Sequence, residues 1–266
     1  MTHSAALLLE QENGVARLTL NRPTAGNSID LDLARALMEA AIQCDEDDSI
    51  RCVSLSGTGR LFCAGGDIQS FIAAGGRAPA LLKELTGYLH LAIARLARMD
   101  KPLVTVVNGP AAGAGVGLAA LGDIVLAARS AHFTLAYTNI ALSPDAGCTW
   151  LLPRLIGWRK AQELMFTNRR VGAEEAERIG LITRAVDDDA LGQVAGDQLQ
   201  QMADAATLAL GHTRRLLLSS LDASLETHLE CEARSISQLG RTPDFREGID
   251  AFRAKRKANF TGRDRV

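Results

Sequence analysis

The chain has 266 residues, 47% of them hydrophobic and 23% charged, the balance of a globular rather than a disordered protein. Lys+Arg 29 against Asp+Glu 31 leaves a net charge of −2, without the basic excess that nonspecific binding to nucleic acid or an anionic membrane requires. No apolar run approaches the ~18 residues of a membrane span. In chain order, Gly14 precedes VARLTL (15–20), with Ala16, Leu18 and Leu20 on one strand face. Residues 31–42 carry Leu31, Ala34, Leu37, Met38, Ala41 and Ile42 at the spacing of a core-facing helix. IRCVSLSG (50–57) predicts a strand. The stretch 79–98 predicts a helix striped by Leu82, Leu85, Leu89, Ile93 and Leu96. PLVTVVNG (102–109), DIVLAARS (123–130), FTLAY (133–137) and LITRAV (181–186) predict further strands. Strands alternating with helices indicate an α/β core with a largely parallel sheet. Beyond 188 no strand signal remains, and helical periodicity runs through 190–203, 206–221, 224–239 and 243–258. Thr242-Pro243 reads as an N-cap followed by proline at the first helical position. The expected division is a core over 1–188 and a helical region over 189–266. The leucine faces of 206–221 and 224–239 are wide enough to pack on their own core or against another subunit.

Cysteines stand at 44, 52, 63, 148 and 231, an odd number with no CxxC pair. The opening MTHSAALLLEQENG lacks a basic n-region, so a reducing cytoplasm is expected. His, Cys and carboxylates never cluster at metal-ligand spacing, and no metal is expected.

Three glycine-rich places can carry chemistry. Gly57 to Asp67 (GTGRLFCAGGD) follows a strand and leads into a short helix from Ile68. Its small residues make either a tight turn or a place where another molecule approaches the main chain. Asn108 to Leu118 (NGPAAGAGVGL) leads from a strand into a small-residue helix. Unpaired N–H groups at such a helix start can hold an anion or a developing oxyanion. The same stretch also fits a helix packed closely on the sheet. A dinucleotide turn fits poorly, because the glycines fall at 113, 115 and 117 and no acid occurs between 124 and 144. In Leu142 to Trp150 (LSPDAGCTW), Ser143 can cap a helix, Pro144 fits its first turn, and Asp145 reads as a first-turn carboxylate.

Taken together with LNRPTAGNSI (20–29), GRLFCAGGDI (59–68), KPLVTVVNGPAAGAGVGLA (101–119), SPDAGCTWLLPRLIG (143–157), ELMFTNRRVGAEEAERIGLITRAV (163–186) and EGIDAFRAKRKANF (247–260), the chain resembles the crotonase, or enoyl-CoA hydratase/isomerase, superfamily over nearly its whole length. The resemblance implies a crotonase-like spiral of ββα repeats with a C-terminal helical trimerisation region, assembled as a homotrimer or a dimer of trimers. It implies acyl-coenzyme A thioester substrates and no cofactor beyond the coenzyme A they carry. It assigns the oxyanion donors to the amides of Ala64 and Ala114. Phe62, Gly65, Gly66, Asp67 and Ile68 are expected to line the coenzyme A cleft, and His90 and Tyr137 to contact the substrate. Arg22, and Lys255 from a neighbouring subunit, are expected at phosphates, with Phe252 beside the coenzyme A. A solvated or core role remains the alternative for each of these three.

The departures from the family pattern bear on the reaction. The two glutamates of the hydratases fall here at Gly117 and Tyr137, which makes ordinary hydration an unfavoured reading. Asp145 occupies the place of the catalytic acid in the isomerase branches, and FTLAYTNIALSPDAGCTWLLPRLIG is most similar to the ring-isomerase branch. The expected function is therefore an acyl-CoA isomerase with Asp145 as acid/base. The rivals are a hydratase, a hydrolytic aryl-CoA dehalogenase and a non-catalytic binding protein. The dehalogenases match at His90 and Asp145 but place a tryptophan where Tyr137 stands. His90 also lies beside the Leu89/Ile93/Leu96 stripe, as a packed pocket histidine would.

Overall fold

Asn13 and Gly14 both adopt positive φ, 51° and 78°, the two-residue turn that Asn-Gly favours between antiparallel strands. It joins β1 (Leu7–Glu12) to β2 (Val15–Leu20), with Glu12 opposite Val15; β1 is an element additional to those expected. The computed structural model describes residues 6–263; the first five residues of the stretch read above for a leader lie outside the described residues. After α1 (Leu31–Glu46) and β3 (Cys52–Gly57) come α2 (Ile68–Ala74), α3 (Ala78–Arg98), β4 (Leu103–Val107), β5 (Ala111–Ala112) and α4 (Ala114–Ala120). The chain continues through β6 (Ile124–Ala128), β7 (His132–Thr134), α5 (Cys148–Ile156), α6 (Trp158–Thr167), β8 (Val171–Gly172), α7 (Ala173–Arg178) and β9 (Arg184–Val186).

Two sheets result. The larger has the order β1-β2-β3-β4-β6-β9, parallel except for its first pair. The smaller joins β5, β7 and β8, and the bridges Ile29–Gly66 and Cys63–Ala111 prolong its line. The repeat is visible in this accounting. β2, β3, β4 and β6 each enter the large sheet, after which the chain adds a short extended segment at 29, 63–66, 111–112 and 132–134 respectively, before turning toward a helix. Each turn of the spiral thus brings a strand end and a helix start to the same side, and the three glycine-rich places all sit at that step.

Two expectations shift. β7 stops at Thr134 instead of reaching 137; Tyr137 opens a 3-10 turn over Thr138–Ile140. The helix expected to begin near Ser143 begins at Cys148, with no side-chain cap. Ala146 and Gly147 adopt φ of 50° and 74°, and backbone in that left-handed region cannot enter a right-handed helix.

The C-terminal region is helical as expected: α8 (Leu191–Ala203), α9 (Thr207–Ser220), α10 (Leu225–Leu239) and α11 (Pro243–Ala254), the last capped by Thr242. α8 is part of the core rather than an appendage. It lies on β2, β3, β4 and β6 and buries Leu191, Ala195, Leu199 and Ala203. Buried side chains become sparse beyond it, and α10 has none.

Candidate active site

The first of the glycine-rich turns is fixed from below. Asp67 caps α2, accepting from the N–H of Gln69 at 3.0 Å and of Ser70 at 3.3 Å. Its other oxygen receives Arg22 Nη2 at 2.8 Å, and the same nitrogen meets Asp30 Oδ2 at 2.9 Å. Burial works against the Asp67 charge, but Arg22 and the two amides outweigh it and hold the carboxyl below its ordinary value. Arg22 Nη1 also donates to the Ser28 carbonyl. Its guanidinium is thus engaged with two carboxylates and a carbonyl, so its charge is matched within the turn. Arg22 and Asp67 hold the turn in place; the nearly buried Asp67 caps a helix rather than lining the cleft. Phe62 is fully buried in the core and cannot line a cleft either. Ile68 is exposed at the start of α2.

The donors are corrected in part. The Ala64 N–H already donates to the Gly26 carbonyl at 2.9 Å, so it is not free for a ligand. The next amide, of Gly65, lies toward the Cys63 sulfur. The Gly66 N–H has no acceptor among the described residues, and it is the group that sequence reasoning passed over. Opposite stands Ala114, the first residue of α4, whose amide has no partner within the helix. The two turns touch. Gly65 has φ 92°, and a Cβ built there would lie 2.8 Å from the Ala112 carbonyl oxygen and 3.4 Å from the Ala114 nitrogen. Only glycine permits both that conformation and that approach.

The carboxylate lies across the same helix start. Tyr137 is nearly buried and its hydroxyl donates to Asp145 Oδ1 at 2.6 Å. Desolvation chiefly, with the neighbouring Cys148 and Asp145, pushes the phenol far above its ordinary value, so it stays protonated. The ring passes close to Gly113, where a built Cβ would stand 3.9 Å from Tyr137 Cζ. The half-buried Asp145 therefore connects through Tyr137 to the residue before Ala114. His90 is exposed on α3, and its Nε2 accepts the Ala146 N–H at 3.2 Å. Gly117 backs onto this loop. A Cβ there would press well inside van der Waals contact with the Ala146 carbonyl and lie 3.0 Å from Ala146 Cβ and 3.1 Å from Cys148 Sγ. Cys148 is buried, and desolvation raises its thiol to about 12, so it stays protonated.

Phe252 and Lys255 are exposed on and after α11, Phe252 at 84%, with no hydrogen bond or ion pair to any of these residues. Among the described residues no group of three or more His, Cys, Asp or Glu could hold a metal, and no helix is long and apolar enough to cross a membrane.

Comparison with known proteins agrees with this architecture. The chain is 41% identical over 258 residues to 1,2-epoxyphenylacetyl-CoA isomerase of Escherichia coli (strain K12), covering 97% of this chain and 98% of that one. It is 37% identical over 254 residues to a Rhodobacter capsulatus protein named "probable enoyl-CoA hydratase", covering 96% and 97%. Among solved structures, an enoyl-CoA hydratase from Polaromonas sp. JS666 superposes with a TM-score of 0.91 at 30% identity, covering 96% of this chain and 99% of that one. The sequence model of the enoyl-CoA hydratase/isomerase family matches residues 10–263, and with the two-sheet spiral and the paired helix-start turns this shows that the chain belongs to the enoyl-CoA hydratase/isomerase family and has the crotonase fold.

Proposed function

We propose that the chain is an acyl-CoA isomerase that moves a double bond or rearranges an unsaturated ring beside a thioester, with Asp145 as acid/base. One observation carries the reading: Asp145 is joined through the Tyr137 hydroxyl on its Oδ1 to Gly113, the residue before the Ala114 amide, and its Oδ2 accepts no hydrogen bond among the described residues, whereas the Asp67 carboxylate at the other turn is taken up by Arg22 and two amides. The two glutamate places of the hydratases hold a glycine closed over by Ala146 and Cys148 and a phenol that stays protonated. Hydration by two carboxylates has no groups to run on. A reaction that takes a proton from one carbon and returns it to another needs one.

The chemistry follows from charge. As the proton leaves, electrons move into the thioester carbonyl and its oxygen becomes enolate-like. The amides of Gly66 and Ala114 meet that oxygen, and each such donor contributes ~10²–10³ in rate. Asp145 Oδ2, which accepts no hydrogen bond among the described residues, takes the proton and returns it at the new position, so atoms balance without a cofactor. The activity in the name of the Escherichia coli relative supports the ring-isomerase branch. A hydrolytic dehalogenase is less well supported, because the His90 Nε2 is engaged by the Ala146 amide and Tyr137 stands at the tryptophan place. Five free cysteines among the described residues support a reducing cytoplasm. Large apolar side chains exposed on α10 and α11, among them Leu229, Ile236 and Phe252, support assembly as a trimer or dimer of trimers, with Phe252 and Lys255 serving a neighbouring subunit's coenzyme A.

The test is a panel of coenzyme A thioesters followed by ultraviolet absorbance and mass spectrometry. Asp145→Asn keeps size but cannot accept the proton, so isomerisation should fall ~10²–10⁴-fold while thioester binding stays near wild type. Full activity in Asp145→Asn would sink the assignment. Turnover of the wild type in ¹⁸O-water should leave Asp145 unlabelled; label in the aspartate would mean nucleophilic attack, as in a dehalogenase.

A further inference from the structure

We infer that Tyr137 is a positioning residue that fixes which oxygen of Asp145 meets the acyl group and how far that oxygen lies from the Ala114 amide. The inference rests on Asp145 being the acid/base proposed above. Tyr137 touches both halves of the site. Its hydroxyl is 2.6 Å from Asp145 Oδ1 and 3.5 Å from the Asp145 carbonyl oxygen, while its Cζ would be 3.9 Å from a Cβ built on Gly113, the residue before Ala114. No other side chain among the described residues hydrogen-bonds the Asp145 carboxylate.

The surroundings of the ring make this contact one-directional. The other polar neighbour of the hydroxyl is the buried Cys148 thiol at 3.9 Å, a weak partner. A nearly buried phenol with one carboxylate in reach donates to it. Oδ1 is therefore occupied, and Oδ2 is left to take and return the proton. The loop that carries Asp145 needs such an anchor. It holds two non-glycine residues at positive φ, Ala141 at 59° and Ala146 at 50°, and α5 does not begin until Cys148. The phenol stands where the hydratases carry a second acid, and here it acts as a strut for the acid that remains.

The chain has two tyrosines, so protein labelled with 3-fluorotyrosine gives two ¹⁹F resonances, and Tyr137→Phe identifies the one from residue 137. That resonance should shift in Asp145→Asn and should not titrate through the alkaline range where an exposed fluorophenol does. A resonance that titrates freely, or is the same in Asp145→Asn, would overturn the contact. In turnover of a 3-enoyl-CoA, Tyr137→Phe keeps the ring and loses the donor. Removing a hydrogen bond to a charged group should lower kcat ~10–100-fold with KM for the thioester unchanged, whereas a merely structural loss would change both or unfold the protein. Wild-type kcat in Tyr137→Phe with an inactive Asp145→Asn overturns this inference alone; an active Asp145→Asn overturns the acid/base reading beneath it.

Discussion

Gly66 can be tested one atom at a time. Gly66→Pro removes the amide hydrogen, but it also adds a Cβ, which at this position would lie 2.9 Å from the Phe71 ring. Gly66→Ala adds the same Cβ and keeps the N–H. The alanine variant controls for the Cβ, leaving the lost donor and the proline ring as the difference, and turnover should be ~10²-fold lower in the proline variant than in the alanine one, each checked for folding by circular dichroism. Equal turnover would move the oxyanion site elsewhere. The sequence locates this turn to within two residues and no better. CAGG shows that small residues are needed, but which amide points outward depends on what each finds inside. Ala64 finds the Gly26 carbonyl, from a loop 38 residues earlier, and no local pattern announces that pairing. Asp145 is legible only through the family resemblance, since by its local pattern it reads as a first-turn helix carboxylate. Its partner Tyr137 is legible only as a departure, since a missing glutamate does not say what the phenol touches.

At the scale of elements, α2 carries the turn that carries Gly66, and Asp67 is its hinge pin. Asp67→Ala removes the cap, worth about 1 kcal/mol, and leaves Arg22 with Asp30 and the Ser28 carbonyl. Thermal unfolding should occur a few degrees lower and turnover should drop with it, because Gly66 is the adjacent residue. The sign of the pH dependence is determined. The Asp67 carboxyl is held below its ordinary value, so its contribution is present above the unfolded-chain value and is lost as pH falls through the folded one. The Tm difference between wild type and Asp67→Ala should therefore be full at neutral pH and vanish in acid; a difference that persists undiminished there would contradict the charge argument. Most elements were readable because their apolar periods match their burial, as in α3 with Leu85, Leu89, Ile93 and Leu96. The segment from 135 to 147 was not. FTLAY has the composition of a strand, but its partner β8 spans two residues, so the pairing ends early. SPD has the composition of a helix start, but the chain passes through two left-handed residues first.

For the whole molecule, the distribution of buried surface decides what must be covered. The core extends from β1 through α8, whereas α10 buries no residue and exposes Leu225, Leu229 and Ile236. One side of this 15-residue helix meets α9, where His212 Nδ1 and Ser235 Oγ are 2.8 Å apart, but its exposed apolar side chains are stable chiefly when packed, and a second copy of the chain is the cover the proposal names. Leu229→Glu and Ile236→Glu alter side chains half or more exposed in the single chain, so the fold should survive them. At a subunit contact, each forfeits about 2 kcal/mol of apolar burial, roughly thirty-fold in association, before the cost of desolvating the new charge. Light scattering should show the wild type as a trimer or hexamer at micromolar concentration and the double variant shifted toward the single chain. If Phe252 and Lys255 reach a neighbour's coenzyme A, dissociation should raise KM for the thioester while Asp145, Tyr137 and the two amides, all from one chain, keep kcat within a few-fold. A wild type that is monomeric at that concentration, or a dissociated variant with unchanged KM, would place the complete site within a single chain.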